Sequence, residues 1–307
     1  MSFVDAFSMD YLGGVWDFAP IWAEICRHHR HDALTDSTNT QLIQAVSAGK
    51  LDYRHHHLHT CDAQSAGRGQ HGRSWVSAQG NVFLSLYTPM QAMSDDGFGL
   101  LRLDGFLSLA VGYYLAQLEI IQAINAERIK KDLSIIGVKW ANDVGYYDDT
   151  AHLFQKLCGI LIEPVYAKVD DKTRLVGVVT GVGMNVEMSP AIADGLYQAT
   201  CLRQLADMAN LECVPSYQAL YQPICQAICQ AVHQHNQLSD DTAKSAFIDA
   251  FNRAHVLIGK VVNVFARDEM RVVSQSGRCI GIDYDGALLL EQAGSIERVL
   301  AGMIQSA

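Results

Sequence analysis

Residues 81–87 follow the alternation of a β-strand, placing Val82, Leu84 and Leu86 on one face. Similar β-rich stretches predict strands at 58–63, 135–140, 158–163 and 175–184, the last two as neighbours in a sheet. Helical spacing takes over elsewhere. It predicts a short amphipathic helix at 18–26. A second helix follows the cap-like Ser37-Thr38-Asn39, continues through Leu42, Ile43 and Val46, and stops at Gly49. The longest apolar run, 106–124, predicts one buried core helix. Gln117, Glu119 and Gln122 interrupt it, leaving less than the roughly 20 apolar residues that a bilayer span needs. Residues 199–251 read as helical. After Gly259 the pattern changes to short strands at 261–265, 270–273, 277–282 and 287–291, separated by turns such as Asp285-Gly286, which suggests a small barrel. The division is therefore one large α/β domain over 1–256, with 1–30 as an N-terminal extension, and a small β domain over 257–307.

Composition narrows the functional classes. With 49% apolar residues the chain can fill a substantial core, and its formal net charge of −10 speaks against a dense basic face for nucleic acid or membrane surfaces. The eight cysteines show no CxxC spacing, and Cys225 and Cys229 fall on one helix face as core residues. Without a recognisable signal peptide, this usage reads as a reducing cytoplasm. Two histidine runs stand out, His28, His29 and His31, then His55, His56, His57 and His59. Successive strand residues point to opposite faces, so His55 to His57 cannot all converge on one ion, and no metal held by the protein alone is expected.

Three segments carry candidate chemistry. The loop 67–73 combines three glycines with Arg68 and Arg73, so backbone amides and planar cations can face a phosphate or carboxylate. It has neither the GK[ST] of a P-loop nor a βαβ setting, and taken alone it equally fits a surface turn. Lys139-Trp140-Ala141-Asn142-Asp143 ends an apolar strand, where ligands commonly bind. Lys156 leads into the apolar Leu157-Cys158-Gly159-Ile160-Leu161. Each of these two has a commoner, purely structural reading as a solvated strand end.

Together with Ser37-Thr38-Asn39, Gln64, Gly72-Arg73-Ser74-Trp75 and Gly181-Val182-Gly183-Met184-Asn185, these segments occur in the order found in biotin–protein ligases, which the chain resembles over roughly residues 34–300. The tail from Gly281 to Leu290 is similar to that family's C-terminal SH3-like β-barrel. The resemblance implies a mixed-sheet α/β (α+β) catalytic domain like that of class II aminoacyl-tRNA synthetases. It implies ATP-dependent formation of biotinyl-5'-AMP, with Mg²⁺ riding on the phosphates, and transfer of biotin to a lysine of a biotin carboxyl carrier protein such as that of acetyl-CoA carboxylase.

By the same resemblance, Ser37, Thr38, Asn39 and Gln64 belong to the biotin site, with Arg68, Gly69, Gln70, Lys156 and Gly159. Arg68, Arg73, Trp75, Asn142 and Asn185 fall to the adenylate. Lys156, Lys139 and Arg68 would supply charge to the reaction, and Asp143 would orient the incoming amine or help take its proton. Three features depart from the family. Gln70 stands where an arginine is usual, followed by His71, and the chain between Asp143 and Lys156 is long, with an apparent excursion at 146–155. Only 36 residues precede Ser37, without a basic recognition helix, so the expectation is a cytoplasmic ligase without repressor function, nucleic-acid partner or membrane partner, with monomer and homodimer both left open. The rival readings are a lipoate–protein ligase and a non-catalytic, biotin-responsive sensor or repressor.

Overall fold

The computed structural model describes residues 17–191, 198–266 and 269–306. The first part of the predicted N-terminal extension, 1–16, lies outside the described residues. Helix α1 (Ala19–Arg27) carries Pro20 in its first turn, where a missing N–H breaks no bond, and leads into β1 (His29–Thr35). Ser37 caps α2 (Thr38–Ser47) as its residue type suggests, with its hydroxyl accepting from the Thr40 N–H. Strands β2 (His57–Gln64) and β3 (Val82–Pro89) then enter the sheet.

The predicted helix over 106–124 is two helices, α3 (Phe106–Ala116) and α4 (Glu119–Lys130), bent by 66°. Leu118 is extended at the break, and the Gln122 side-chain amide donates to the freed Ala116 carbonyl at 2.7 Å. The polar residues that interrupt the apolar run therefore mark a bend that one of them caps. Among the described residues no single helix is long and apolar enough to cross a membrane.

Five further strands complete the main sheet: β4 (Gly137–Lys139), β5 (Asp143–Asp148), β6 (Leu153–Val169), β7 (Lys172–Met184) and the short β8 (Gln198–Ala199). The order is β1-β2-β3-β7-β6-β5-β4, with β8 beside β6. β1 with β2 and β6 with β8 are parallel and the rest antiparallel, so the sheet is mixed as expected. The predicted neighbours 158–163 and 175–184 do pair, inside strands that extend well beyond them. The excursion at 146–155 is the β5–β6 hairpin, whose turn is closed by Asp148 accepting from the Thr150 and Ala151 amides.

Region 199–251 resolves into α5 (Leu202–Ala209), α6 (Tyr221–Gln237) and α7 (Asp241–Ala254). α3 packs between the sheet and α6, and Cys225 and Cys229 are fully buried in that core. α2 covers the other face through a smaller cluster of Leu42, Val46, Tyr87, Val165, Ala167, Val176 and Val179.

The C-terminal sheet is antiparallel, in the order β12-β11-β10-β9-β13. Its strands are β9 (Val261–Ala266), β10 (Glu269–Ile282), β11 (Leu288–Gln292), β12 (Ser295–Val299) and β13 (Met303–Ser306). The two strands expected at 270–273 and 277–282 are one strand, β10. β12 was not anticipated because Ser295, Ile296, Glu297 and Arg298 are all exposed, leaving no apolar alternation to read.

The two sheets share a core. Val262, Val264, Cys279, Ile282, Leu288 and Leu290 belong to the same apolar cluster as the main domain. Polar contacts reinforce the junction: the Trp140 indole donates to the Gly286 carbonyl at 2.9 Å, and the Trp140 backbone N–H donates to His255 Nε2 at 3.0 Å. Burial holds the His255 imidazole down at about 3, with Lys139 adding to the effect. The neutral ring can then accept that N–H.

This sets a pH dependence of stability. Unfolded chains bind a proton here below about pH 6.5 while the folded one stays neutral until about 3, so stability is lost as pH falls through that window. We expect His255 to contribute a slope of up to about 1.4 kcal/mol per pH unit between these limits. Urea titrations of wild type and His255→Gln from pH 7 to 4 measure it; parallel slopes would remove His255 from the acid sensitivity.

Candidate functional site

Strand register assembles the floor of a cleft. Phe83 of β3 pairs with Gly183 of β7, which pairs with Gly159 of β6, then Asp143 of β5 and Lys139 of β4. Directly opposed residues share a face, so this row of five points to one side of the sheet. The next row carries Ser85, Gly181 and Leu161. Glycine is required in the first row because Trp75 lies on it: a Cβ on Gly183 would come within 2.5 Å of the indole.

Lys156 joins the row through an irregularity. Val144 pairs with Cys158, but Gly145 pairs with Lys156, so Leu157 is an extra residue on β6. A one-residue bulge reverses side-chain parity beyond it, which brings Lys156 to the face of Gly159 and Asp143. Lys156 Nζ lies 2.6 Å from Asp143 Oδ1 and 5.3 Å from the centre of the Trp75 ring. Lys139 Nζ approaches the other Asp143 oxygen at 3.4 Å. Burial by itself would raise the Asp143 carboxyl, but the two flanking ammonium groups hold it below the ordinary carboxylate range. Burial lowers Lys139, Lys156 and Arg73 push it the same way, and Asp143 opposes them.

The expected biotin residues gather at one end of this floor. Ser37, Thr38, Asn39, Gln64, Arg68, Gly69, Gln70, Lys156 and Gly159 all line one cleft. Gln64 Oε1 accepts from the Thr38 N–H at 2.9 Å, tying the end of β2 to the start of α2. Asn39 is a clamp within the wall: it donates to the Leu161 carbonyl and Glu163, and accepts from Ser85. Arg68 makes a two-pronged ion pair with Glu163, at 2.6 and 3.1 Å, so its charge is already engaged.

A second cleft adjoins the first and shares Gly69, Gln70, Trp75, Asn142 and Lys156 with it. It adds Arg73, Lys139 and Asp143, while Leu300 to Ile304 of the C-terminal sheet form its far wall. The loop between the clefts folds back on itself, with Gly69 N–H donating to Arg73 O at 2.7 Å and Trp75 N–H to Gly67 O at 2.8 Å. Asn142 donates to the Ile160 carbonyl at 3.0 Å. Asn185 is not brought to either cleft wall; it is buried and donates to Thr200 O at 3.0 Å.

Sequence reasoning missed Glu163, Ser85, Phe83 and the C-terminal wall. The alternation of β3 was a usable signal, because the parity that sends Leu84 to the core sends Phe83 and Ser85 to the opposite face. Glu163 and residues 300–304 carried no comparable pattern.

Chemically, two joined clefts flank a Lys–Asp–Lys cluster, with amides and a tryptophan over a glycine floor. The arrangement suits two ligands that meet at a point of concentrated negative charge. Residues 33–185 match the model of the Biotin/lipoate A/B protein ligase family. The chain is 28% identical to the bifunctional ligase/repressor BirA of Salmonella typhimurium over 88% of its own length and 71% of that protein's. It is 33% identical to a biotin–[acetyl-CoA-carboxylase] ligase of Mycobacterium tuberculosis over 53% of this chain and 50% of that one. Its fold is shared with the biotin protein ligase of Aquifex aeolicus, solved with biotin and ATP, at a TM-score of 0.61 and 17% identity, covering 92% of this chain and all of that one.

Proposed function

The chain belongs to the biotin/lipoate A/B protein ligase family, and from its paired clefts we propose how it acts as a biotin protein ligase: biotin is joined to AMP where the clefts meet and then passed to a lysine of a carboxyl carrier domain. The observation that carries this is Lys156, among the described residues the one cation that lines both clefts, which rests on Asp143.

The carboxylate of biotin and the α-phosphate of ATP repel each other. Attack of a carboxylate oxygen on the α-phosphorus, with loss of pyrophosphate, needs positive charge between them. Lys156 supplies it at the junction and Lys139 from below, both held by Asp143. Arg73 lines the nucleotide side. Arg68 would join by exchanging Glu163 for the ligand's oxygens, which makes Glu163 its resting partner. Among the described residues lining the two clefts Asp143 is the single acidic one, and both its oxygens face lysines. Mg²⁺ would therefore be held by the ATP phosphates and water rather than by protein carboxylates.

In the second half-reaction the neutral amine's nitrogen attacks the acyl carbon, AMP leaves with the electron pair of the broken acyl–oxygen bond, and the amine's proton passes to water or to the departing phosphate. Asp143, held low by two ammonium groups, is a weak proton acceptor. We assign it the positioning of both lysines. Incubating the chain with biotin, ATP and a carrier domain should give biotin-dependent AMP and pyrophosphate and a biotinylated carrier. Equal turnover with lipoate, or no acylation with either acid, would sink the reading.

Gln70 lines both clefts. A neutral amide bonds a phosphate more weakly than a guanidinium does. We expect Gln70→Arg to slow the loss of biotinyl-adenylate about tenfold, if the new arginine makes a charge-assisted bond. A chase of labelled adenylate at pH 8 reads this, and equal off-rates would leave retention to the existing arginines.

A further inference from the structure

The two histidine runs meet at the edge of the molecule far from the clefts. β1 and β2 run parallel with His29 opposite Leu58, and the Leu58 N–H donates to the His28 carbonyl at 3.2 Å. This register places the end of α1 beside the segment that enters β2. The His28 ring lies 4.9 Å from that of His55. Glu24, one turn before His28, is buried beneath them. Gln64 of the biotin cleft stands at the other end of β2, roughly 23 Å away along the strand at about 3.3 Å per residue.

We propose that Glu24, His28 and His55 form a binding site for a divalent transition-metal ion, with Zn²⁺ as the ion their chemistry suits. One carboxylate oxygen of Glu24 and one nitrogen from each imidazole lie within 4.8 Å of one another. Glu24 Oε1 and His55 Nδ1 are 3.2 Å apart, close to the edge of about 3.3 Å in a tetrahedron with metal–ligand distances of about 2.0–2.1 Å. The half-buried His28 needs only a small side-chain adjustment to complete the triangle. Its Nδ1 is buried with no hydrogen-bond partner, so hydrogen bonding alone leaves this cluster unsatisfied.

The surrounding groups are those that support metal ligands. His55 Nε2 faces Asp95 Oδ2 at 3.6 Å, so Nε2 can keep its proton toward a neighbouring carboxylate, which leaves the Nδ1 lone pair free to ligate. The second Glu24 oxygen is held by His56 Nδ1 at 3.1 Å, and the His56 backbone N–H donates to the first at 3.3 Å. Such outer bonds fix a ligating carboxylate. Asp96 lies beside His56 at 3.7 Å, so three acidic groups, Glu24, Asp95 and Asp96, surround the imidazoles. Beyond the triangle is a cavity of about 650 Å³, which leaves a fourth position for water. His57 is not among the groups whose ligand atoms lie within 4.8 Å of one another, and its Nε2 is bonded to the Asp52 carbonyl at 2.7 Å. His55 and His56 precede β2 (His57–Gln64), so strand alternation does not govern them and both face Glu24; one histidine from each run suffices when a helix adds the glutamate.

Bound there, Zn²⁺ would pin α1 to the start of the sheet. The test uses the full chain without a tag, stripped with chelator. Calorimetric titration with Zn²⁺ should show one site, and Co²⁺ in its place should give the strong visible bands of a four-coordinate ion. His28→Ala and His55→Ala, both at partly exposed positions, should each weaken binding at least about tenfold, whereas His31→Ala should not. Glu24→Gln, which keeps the side chain's shape, should show the same loss, and melting curves of the metal-free variants check that each is folded. Absence of one-to-one binding by either ion would overturn the proposal. So would affinity unchanged in the His28, His55 and Glu24 variants, which would assign the ion to other histidines or thiols. Neither outcome bears on ligase activity, which is read separately.

Discussion

Lys156→Ala is expected to lower biotin-dependent pyrophosphate exchange by at least about 100-fold, or about 2.7 kcal/mol of transition-state stabilisation. Lys156 lines both clefts and is positioned by Asp143 at 2.6 Å. Alanine removes the cation at the junction while the floor and both clefts remain. The loss should fall on the rate of adenylate formation more than on the binding of biotin alone, because charge repulsion peaks as the two anions are brought together. Exchange kinetics and biotin titration by calorimetry separate the two. A variant that keeps more than about a tenth of the wild-type rate, a change below roughly 1.4 kcal/mol, would take Lys156 out of the chemical step.

Asp143→Ala is expected to destabilise the fold by about 3–5 kcal/mol near neutral pH, the usual penalty for removing one partner from a buried ion pair. Here two ammonium groups, Lys139 and Lys156, lose their counter-charge at once. The sign of the pH dependence follows from the shifts. In the wild type the Asp143 carboxyl sits below its unfolded value, so its contribution is full above about pH 4 and is lost as pH falls through the lower folded value. In the variant the penalty comes from charged lysines, and Lys139 is already pushed down by burial. Raising the pH neutralises it and should narrow the gap to wild type. Urea unfolding at pH 7 and pH 9.5 measures this. A gap that is equal at both pH values would mean that packing, not charge, dominates at Asp143.

Much of the chain could be read without coordinates. Alternation at Val82, Leu84 and Leu86 is a local property of a strand with one face on the helical core, and it survives into β3. The cap at Ser37 needs only its own hydroxyl and the next turn of backbone, so α2 begins where the residue type says. The motif order, from Ser37-Thr38-Asn39 to Lys156, pointed to the right family and to most of the cleft's walls.

Long-range geometry decided the rest. Simple alternation sends Lys156 and Gly159, three apart on one strand, to opposite faces, and only the bulge at Leu157 brings them together. A bulge is set by pairing with another strand, so a single strand's pattern cannot announce it. Glu163 faces Arg68 across 95 residues, the C-terminal sheet walls the second cleft, and His28 meets His55 through the register of two parallel strands. Each of these contacts joins segments whose separation in sequence carries no periodic signal. Burial and electrostatics at such junctions belong to the packed molecule, and they are what set Asp143 between two lysines with its carboxyl held low.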